Sequence, residues 1–488
     1  MSGNIFTVTT NTKMTVPADF ETAITATGFG KFNFLFLLLI LASGWAATLE
    51  SSTMAYVFPA AQCDLDLSLE DKGLLNAITY SGMISSAVIW GFLFDTLGRR
   101  KLLMIGFFLD FICVVISSLS QNKEVLIASK FFGGFIMNGP YAALSTYVSE
   151  FHSNNYRGRM QLMIAMSFCC GGIVLPLLAW AIYSWNILLF LCSIPSLVSA
   201  IIFVFVPESP KFLMTIGENE KALKIFQKIY AKNSGQPPKT FPITELVDEV
   251  SLKKKDPNEH GGQVTAKRSQ SQALQEGWQQ VKPLFFPPHL KNIILVCLIQ
   301  TLFTMTVNTM RLWLPQIFQA LNDYQYYYNV SSADLCESLE MIKSSNVTSD
   351  ECQVNSDNSS VYINALIVAV VTLVVVLGIL AGGFEITMYF SMNTAFAVAF
   401  SSLFATFTHI AANVCIVVII NLFPTTLRTM SLALALMCGR IGSMVGNLVF
   451  PLLIRTGCGP PFFTIAALVF ACAFLSLLLP NTDSKALE

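Results

Sequence analysis

The chain is dominated by long apolar runs, near 33–58, 72–94, 102–119, 125–148, 160–182, 186–206, 292–316, 361–390, 394–420, 428–453 and 459–480. Crossing a hydrocarbon layer about 30 Å thick takes roughly 20 apolar residues in a helix, because every backbone amide must be satisfied without water. The runs have that length, and none shows the alternating ten-residue pattern of a barrel strand. The sequence therefore predicts an all-α polytopic membrane protein with about eleven detectable spans. Hydrophobic residues make up 54% and charged residues 12% of the chain, which excludes a soluble domain with a solvated exterior. The net charge of −1 says nothing about nucleic acid, and no nucleic-acid partner is expected. Residues 1–32 are polar and mixed and carry no cleavable signal pattern.

Lysine and arginine set the expected orientation. Arg99, Arg100 and Lys101, then Arg157 and Arg159, then the basic stretch holding Lys253 to Lys255 fall in alternate loops, which the positive-inside rule places in the cytoplasm. The loop 317–360 lands outside, and it carries three glycosylation sequons, at Asn329, Asn346 and Asn358. The expected organisation is a cytoplasmic segment 1–32, a six-helix half 33–206, a cytoplasmic linker 207–291, a second half 292–480 and a tail 481–488. Cys63, Cys336 and Cys352 lie in polar loops on the outer side, where disulfides persist, and a Cys336–Cys352 bridge is expected.

The second half does not count evenly. If 361–390 crosses once, the segment Phe423 to Arg428 ends outside, although Arg428 reads as a cytoplasmic anchor. Thirty residues do not cross twice, so the chain reads as one helix short of a twelve-span plan, with an apparent deletion near 361–390.

Between the second and third runs stands Gly91-Phe-Leu-Phe-Asp95-Thr-Leu-Gly98-Arg99-Arg100-Lys101. Glycine there permits close helix packing and a tight turn, while an acid beside bases can form charge pairs that break and re-form. This stretch resembles the loop between helices 2 and 3 of the major facilitator superfamily. Tyr147-Val-Ser-Glu150 with Arg157-Gly-Arg159, and Pro207-Glu208-Ser-Pro-Lys-Phe-Leu213, are similar to the matching loops of its sugar-porter-like branch. Gly28 to Phe32, Glu50 with Val57-Phe-Pro59, and Leu312-Trp-Leu-Pro315 resemble the synaptic vesicle glycoprotein 2-like transporters, insect type. The resemblance implies a major facilitator fold of two helical halves and transport by alternating access. The chain departs from that pattern at Lys130, Asn186 and Asn421, and a second copy of the Asp-x-x-Gly-Arg loop is absent.

Charged residues inside apolar runs are the candidates for function, since each costs on the order of 2.5–3.5 kcal/mol on insertion scales unless it faces a cavity or a partner. Glu50 reads as a coupling acid or a ligand for a cation, or as a structural hydrogen bond between helices. Arg311 reads equally as an anchor reaching the interface and as a partner for an anionic solute or for Glu50. Asp110 and Lys130 pose the same question. Asn138, Tyr141, Asn308 and Trp313 are the polar and aromatic mix expected of a small-solute pocket, or else packing groups. Gly91, Asp95, Gly98, Arg99, Arg100, Glu150, Arg157, Arg159, Glu208 and Arg428 read as a cytoplasmic gate. Neither a metal set nor a nucleophile motif stands out, so the expectation is not an enzyme and no cofactor. The expected partners are a small organic solute and the bilayer; a protein partner is not legible. The rival reading is a transporter-like protein that acts through its glycosylated loop without moving a solute.

Overall fold

The structure is a computed structural model that describes residues 17–182, 184–247, 282–287, 289–328, 330, 335–344, 359–374, 395–405, 418–419, 422–423 and 425–479. The described helices, in order, are α1 (Phe20–Ala26), α2 (Lys31–Ala61), α3 (Leu69–Leu97), α4 (Arg99–Ser118), α5 (Lys123–Ser149), α6 (Asn154–Ala181), α7 (Trp185–Phe205), α8 (Pro210–Thr215) and α9 (Asn219–Ser234). They continue as α10 (Leu290–Tyr328), α11 (Leu335–Ser344), α12 (Ser359–Val374), α13 (Ala395–Ala405), α14 (Thr425–Thr456) and α15 (Gly459–Ser476). Seven of these are both long and apolar enough to cross a bilayer. Helices α3 and α5 also have the length and occupy the apolar runs at 72–94 and 125–148.

Local signals explain the helix ends. At the start of α3 the Ser68 hydroxyl accepts the Asp71 amide at 3.1 Å, and the Asp71 carboxylate accepts the Ser68 amide at 3.1 Å. This reciprocal cap satisfies two amides that the helix itself cannot. Gly98 separates α3 from α4 with φ of +92°, a conformation side chains with a Cβ rarely adopt.

Two bundles form. In the first, α2 packs on α6 and α7, α3 on α5, and α4 on α5 and α7; in the second, α10 packs on α14, α15 and α12. A Cβ added at Gly442 would overlap the Thr301 carbonyl, so glycine is what lets α14 lie this close to α10. The bundles meet along α3 with α14, α6 with α12, and α2 with α10. Large apolar side chains such as Phe34, Leu38, Phe132, Phe205 and Phe474 stay exposed on the outside, the surface that a bilayer covers.

Part of the stretch expected to be a linker is folded. Ala222 and Phe226 of the amphipathic α9 pack with Phe20 of α1, Met214 of α8, Phe241 and Ile243, and a parallel bridge joins Ala18 to Leu246. This small unit sits on the face bearing Arg99 and Arg157, the basic face. Lys253 to Lys255 lie outside the described residues.

The expected Cys336–Cys352 bridge is corrected: Cys336 on α11 bonds to Cys458, with the two Cα atoms 5.1 Å apart. Cys458 lies in the short turn between α14 and α15, where the brief gap between two apolar runs gives little sign of an outer loop. Cys63 is also disulfide-bonded, and Cys352 lies outside the described residues. The bridge places the α14–α15 turn on the same side as the loop after α10, the sequon face. The beginning of α14, with Arg428, is therefore on the basic face. The expected deletion near 361–390 lies largely outside the described residues, which end at 374 and resume at 395.

Candidate functional site

A central cavity of about 420 Å³ lies between the bundles, walled by α2, α3, α5 and α6 on one side and by α10, α12, α13 and α14 on the other. The α10 wall is a polar stripe, Gln300, Thr304, Asn308 and Arg311, at the three- and four-residue spacing that puts side chains on one helix face. It is fastened to α14: the Asn308 amide donates to the Ser443 hydroxyl at 2.7 Å and the Thr304 hydroxyl to the Gly439 carbonyl at 2.6 Å. From the first bundle come Thr48, Ser51, Tyr80 and Tyr141.

At the sequon face the bundles are sealed. Lys72 of α3 donates to the side-chain carbonyl of Gln316 on α10 at 3.1 Å and to that of Gln62 at 2.9 Å. Arg455 pairs with Glu70 beside it. Below these, Trp313, Phe318 and Phe450 of the second bundle join Ala55, Tyr80 and Met83 of the first in one apolar cluster. The described polar contacts between bundles all lie at this seal or in the cavity wall.

Three of the charged candidates come together, but inside the first bundle. Glu50 accepts from Lys130 at 2.9 Å, with both side chains 1% exposed. Asp110 is wholly buried beside them and accepts from the Ser196 hydroxyl. None of the three lines the cavity, nor does Asn138, which is buried within α5. Trp313 belongs to the seal, its ring centroid 5.0 Å from that of Phe450. Tyr141, Asn308 and Arg311 do line the cavity.

The gate candidates on described residues tie parts of the first bundle to one another. Arg99 pairs with Glu150, which also accepts from the Ser209 hydroxyl. Glu208 accepts the backbone amides of Arg99 and Arg100 at 3.1 and 3.0 Å, capping α4, and a Cβ at Gly98 would press on that carboxylate. Arg100 donates to the Phe203 carbonyl at 2.9 Å. Arg157 binds Glu21 at 2.6 Å and the Ser149 and His152 carbonyls, and Arg159 lies over the Tyr156 ring at 5.6 Å. The side chains at Gly91, Asp95 and Arg428 and the sequon residues Asn329, Asn346 and Asn358 lie outside the described residues.

Sequence reasoning passed over Tyr80, Thr304 and Arg440. Arg440 interrupts an apolar run between Gly439 and Gly442, the same signal that marked Glu50. Tyr80 and Thr304 carried none, because a lone hydroxyl in an apolar helix is ordinary.

A family model described as "Sugar (and other) transporter" matches residues 28–330. Synaptic vesicle glycoprotein 2B of Rattus norvegicus is 25% identical over 338 residues, 63% of this chain and 48% of that protein. Synaptic vesicle glycoprotein 2C of Homo sapiens is 27% identical over 246 residues, 46% of this chain and 34% of its own length. The chain spans about half the length of the curated relatives it matches. Among solved structures, a D-xylose-proton symporter superposes with a TM-score of 0.63 at 16% identity, covering 94% of this chain and 100% of the symporter. An inward open xylose transporter from E. coli gives 0.64 at 17% identity, covering 93% of this chain and 98% of the transporter.

Proposed function

Because the chain belongs to the sugar (and other) transporter family and is an integral, multi-pass membrane protein of major facilitator fold, we propose that it moves a small, sugar-like organic solute by alternating access. The observation that carries this reading is the cavity itself. It is of the size that encloses a small solute, takes walls from both bundles, and is sealed at one face by contacts between them. Rocking the bundles about this site would break Lys72–Gln316 and Glu70–Arg455 while leaving each bundle intact. The basic face is the cytoplasmic one in this reading, with the sequon loop outside.

The cluster of Glu50, Lys130 and Asp110 is the place for coupling. Two carboxylates share one ammonium there, away from water, so the gain or loss of one proton changes the net charge of a sealed site. The contacts of Arg99, Glu150, Glu208 and Arg157 hold the cytoplasmic ends of α4, α5 and α6 in one unit, which supports a role as the rigid edge of a gate.

The experiment is solute counterflow into vesicles holding the purified full chain, with a panel of labelled sugars and organic ions. Accelerated exchange of any member over empty vesicles supports transport. Absence of exchange across the panel, with the protein folded, returns the protein to the rival reading of a membrane protein that acts through its outer loop.

A further inference from the structure

Two arginines, Arg311 and Arg440, and no acidic side chain line the cavity among the described residues. Arg311 on α10 points a guanidinium nitrogen at the Tyr80 hydroxyl, at 3.4 Å, and its Nε is buried without a hydrogen-bond partner. Arg440 on α14 lies 6.0 Å from the centre of the Tyr141 ring. Neither makes an ion pair with a described carboxylate; Glu50 is committed to Lys130, and Asp110 is screened within the same buried cluster. The bonds linking Thr304 to Gly439 and Asn308 to Ser443 set α10 and α14 in parallel register, so Arg440 is level with residue 305. Six residues then separate the two arginines along the helix axis, about 9 Å at 1.5 Å per residue.

A buried guanidinium is costly unless paired, and a tyrosine ring or hydroxyl returns only part of that cost. Two half-buried guanidinium groups in one cavity, facing hydroxyls and amides, form a site short of negative charge among the described residues. A neutral sugar would satisfy Thr304, Asn308 and Ser51 but leave both cations without a counter-charge. An oxyanion would meet them, since the planar fork of arginine matches carboxylate and phosphate oxygens in pairs.

We propose that the solute is a hydroxylated organic anion, its carboxylate or phosphate seated on Arg311 and Arg440 and its hydroxyls on the Thr304–Asn308 stripe. This rests on the transport reading above and narrows its substrate class.

The test uses the purified full chain, both for binding by thermal shift and for counterflow in vesicles, with D-glucuronate, D-glucose 6-phosphate, D-glucose and choline as probes. The expected result is that at least one of the two anions binds about tenfold or more tighter than glucose, and that Arg311→Gln and Arg440→Gln each lower that affinity about tenfold. Arg440→Lys, which keeps the charge, retains more affinity than Arg440→Gln. The better anion tells carboxylate from phosphate. Glucose binding as tightly as both anions, or Arg→Gln variants that melt like the parent and keep full anion affinity, overturns the inference while transport stands. Should an Arg→Gln variant fail to fold, the ranking of the four probes on the unaltered chain decides by itself. Movement of none of the four, nor of any other member of the labelled panel, removes the transport reading and this inference with it.

Discussion

Glu50 on α2 and Lys130 on α5 form an ion pair at 2.9 Å that is closed to water, with the buried Asp110 of α4 beside it. The cluster is lopsided, two acids to one base. Lys130→Met leaves two enclosed carboxylates without a cation and is expected to cost about 3–5 kcal/mol of stability. Glu50→Gln leaves Lys130 with Asp110 and should fold nearly as the parent does. Melting temperatures of the two purified variants check the order. If coupling runs through this cluster, Glu50→Gln also loses proton- or cation-dependent uptake at unchanged surface expression, and unchanged uptake would sink that role.

Removing the reach of Lys72 to Gln316 should loosen the sequon-face seal. Cys169 lines the cavity and serves as a native reporter. In Lys72→Met, a thiol reagent that does not cross membranes, applied from the sequon side, should modify Cys169 several-fold faster than in the parent. Equal rates measured by mass spectrometry would mean that the apolar cluster of Trp313, Phe318 and Phe450 holds the seal alone.

Unreduced digests should yield a peptide joining Cys336 to Cys458, and Cys458→Ser should abolish it. A peptide joining Cys336 to Cys352 instead would remove the argument that places the end of α14 on the sequon face.

Gly98→Ala should destabilise the α3–α4 turn by about 1–2 kcal/mol, because φ of +92° is unfavourable for alanine and the new methyl presses on Glu208. Asn at this position should not rescue the loss, since φ of +92° with ψ of +153° lies outside the left-handed region that Asn tolerates and is essentially open to glycine alone. A Gly98→Ala variant that melts like the parent would show that the turn does not require this glycine conformation.

His152, in the turn between α5 and α6, is buried, and that burial holds its imidazole below the usual histidine range. The unfolded chain then binds a proton at higher pH than the folded one does. The stability that His152 contributes is present above about pH 6.5 and is lost as pH falls below that value toward the lowered folded pKa. Unfolding measured from pH 7.5 to 5 should show this acid slope, and His152→Phe should flatten it. An unchanged slope would place the titration elsewhere.

Much of the architecture was written along the chain. The run at 33–58 became α2, that at 160–182 became α6, and the Gly98 turn stands where glycine beside Arg99 placed it, because hydropathy, length and turn chemistry act locally. The charged loop motifs were legible for the same reason: Arg99, Glu150 and Glu208 carry charge where a span ends. What a single sequence cannot hold is the direction each helix face takes. Successive residues on a helix are about 100° apart, so Glu50 turns into the first bundle while Ser51 beside it faces the cavity. Trp313 points into the seal and Arg311, two residues away, into the cavity. Only packing of α2 against α5 and of α10 against α14 chose these faces, and only the fold brought Cys336 to Cys458 across 122 residues. Apolar length determined that the chain spans a membrane; helix rotation and pairing, which depend on neighbours distant in sequence, decided what its cavity can hold.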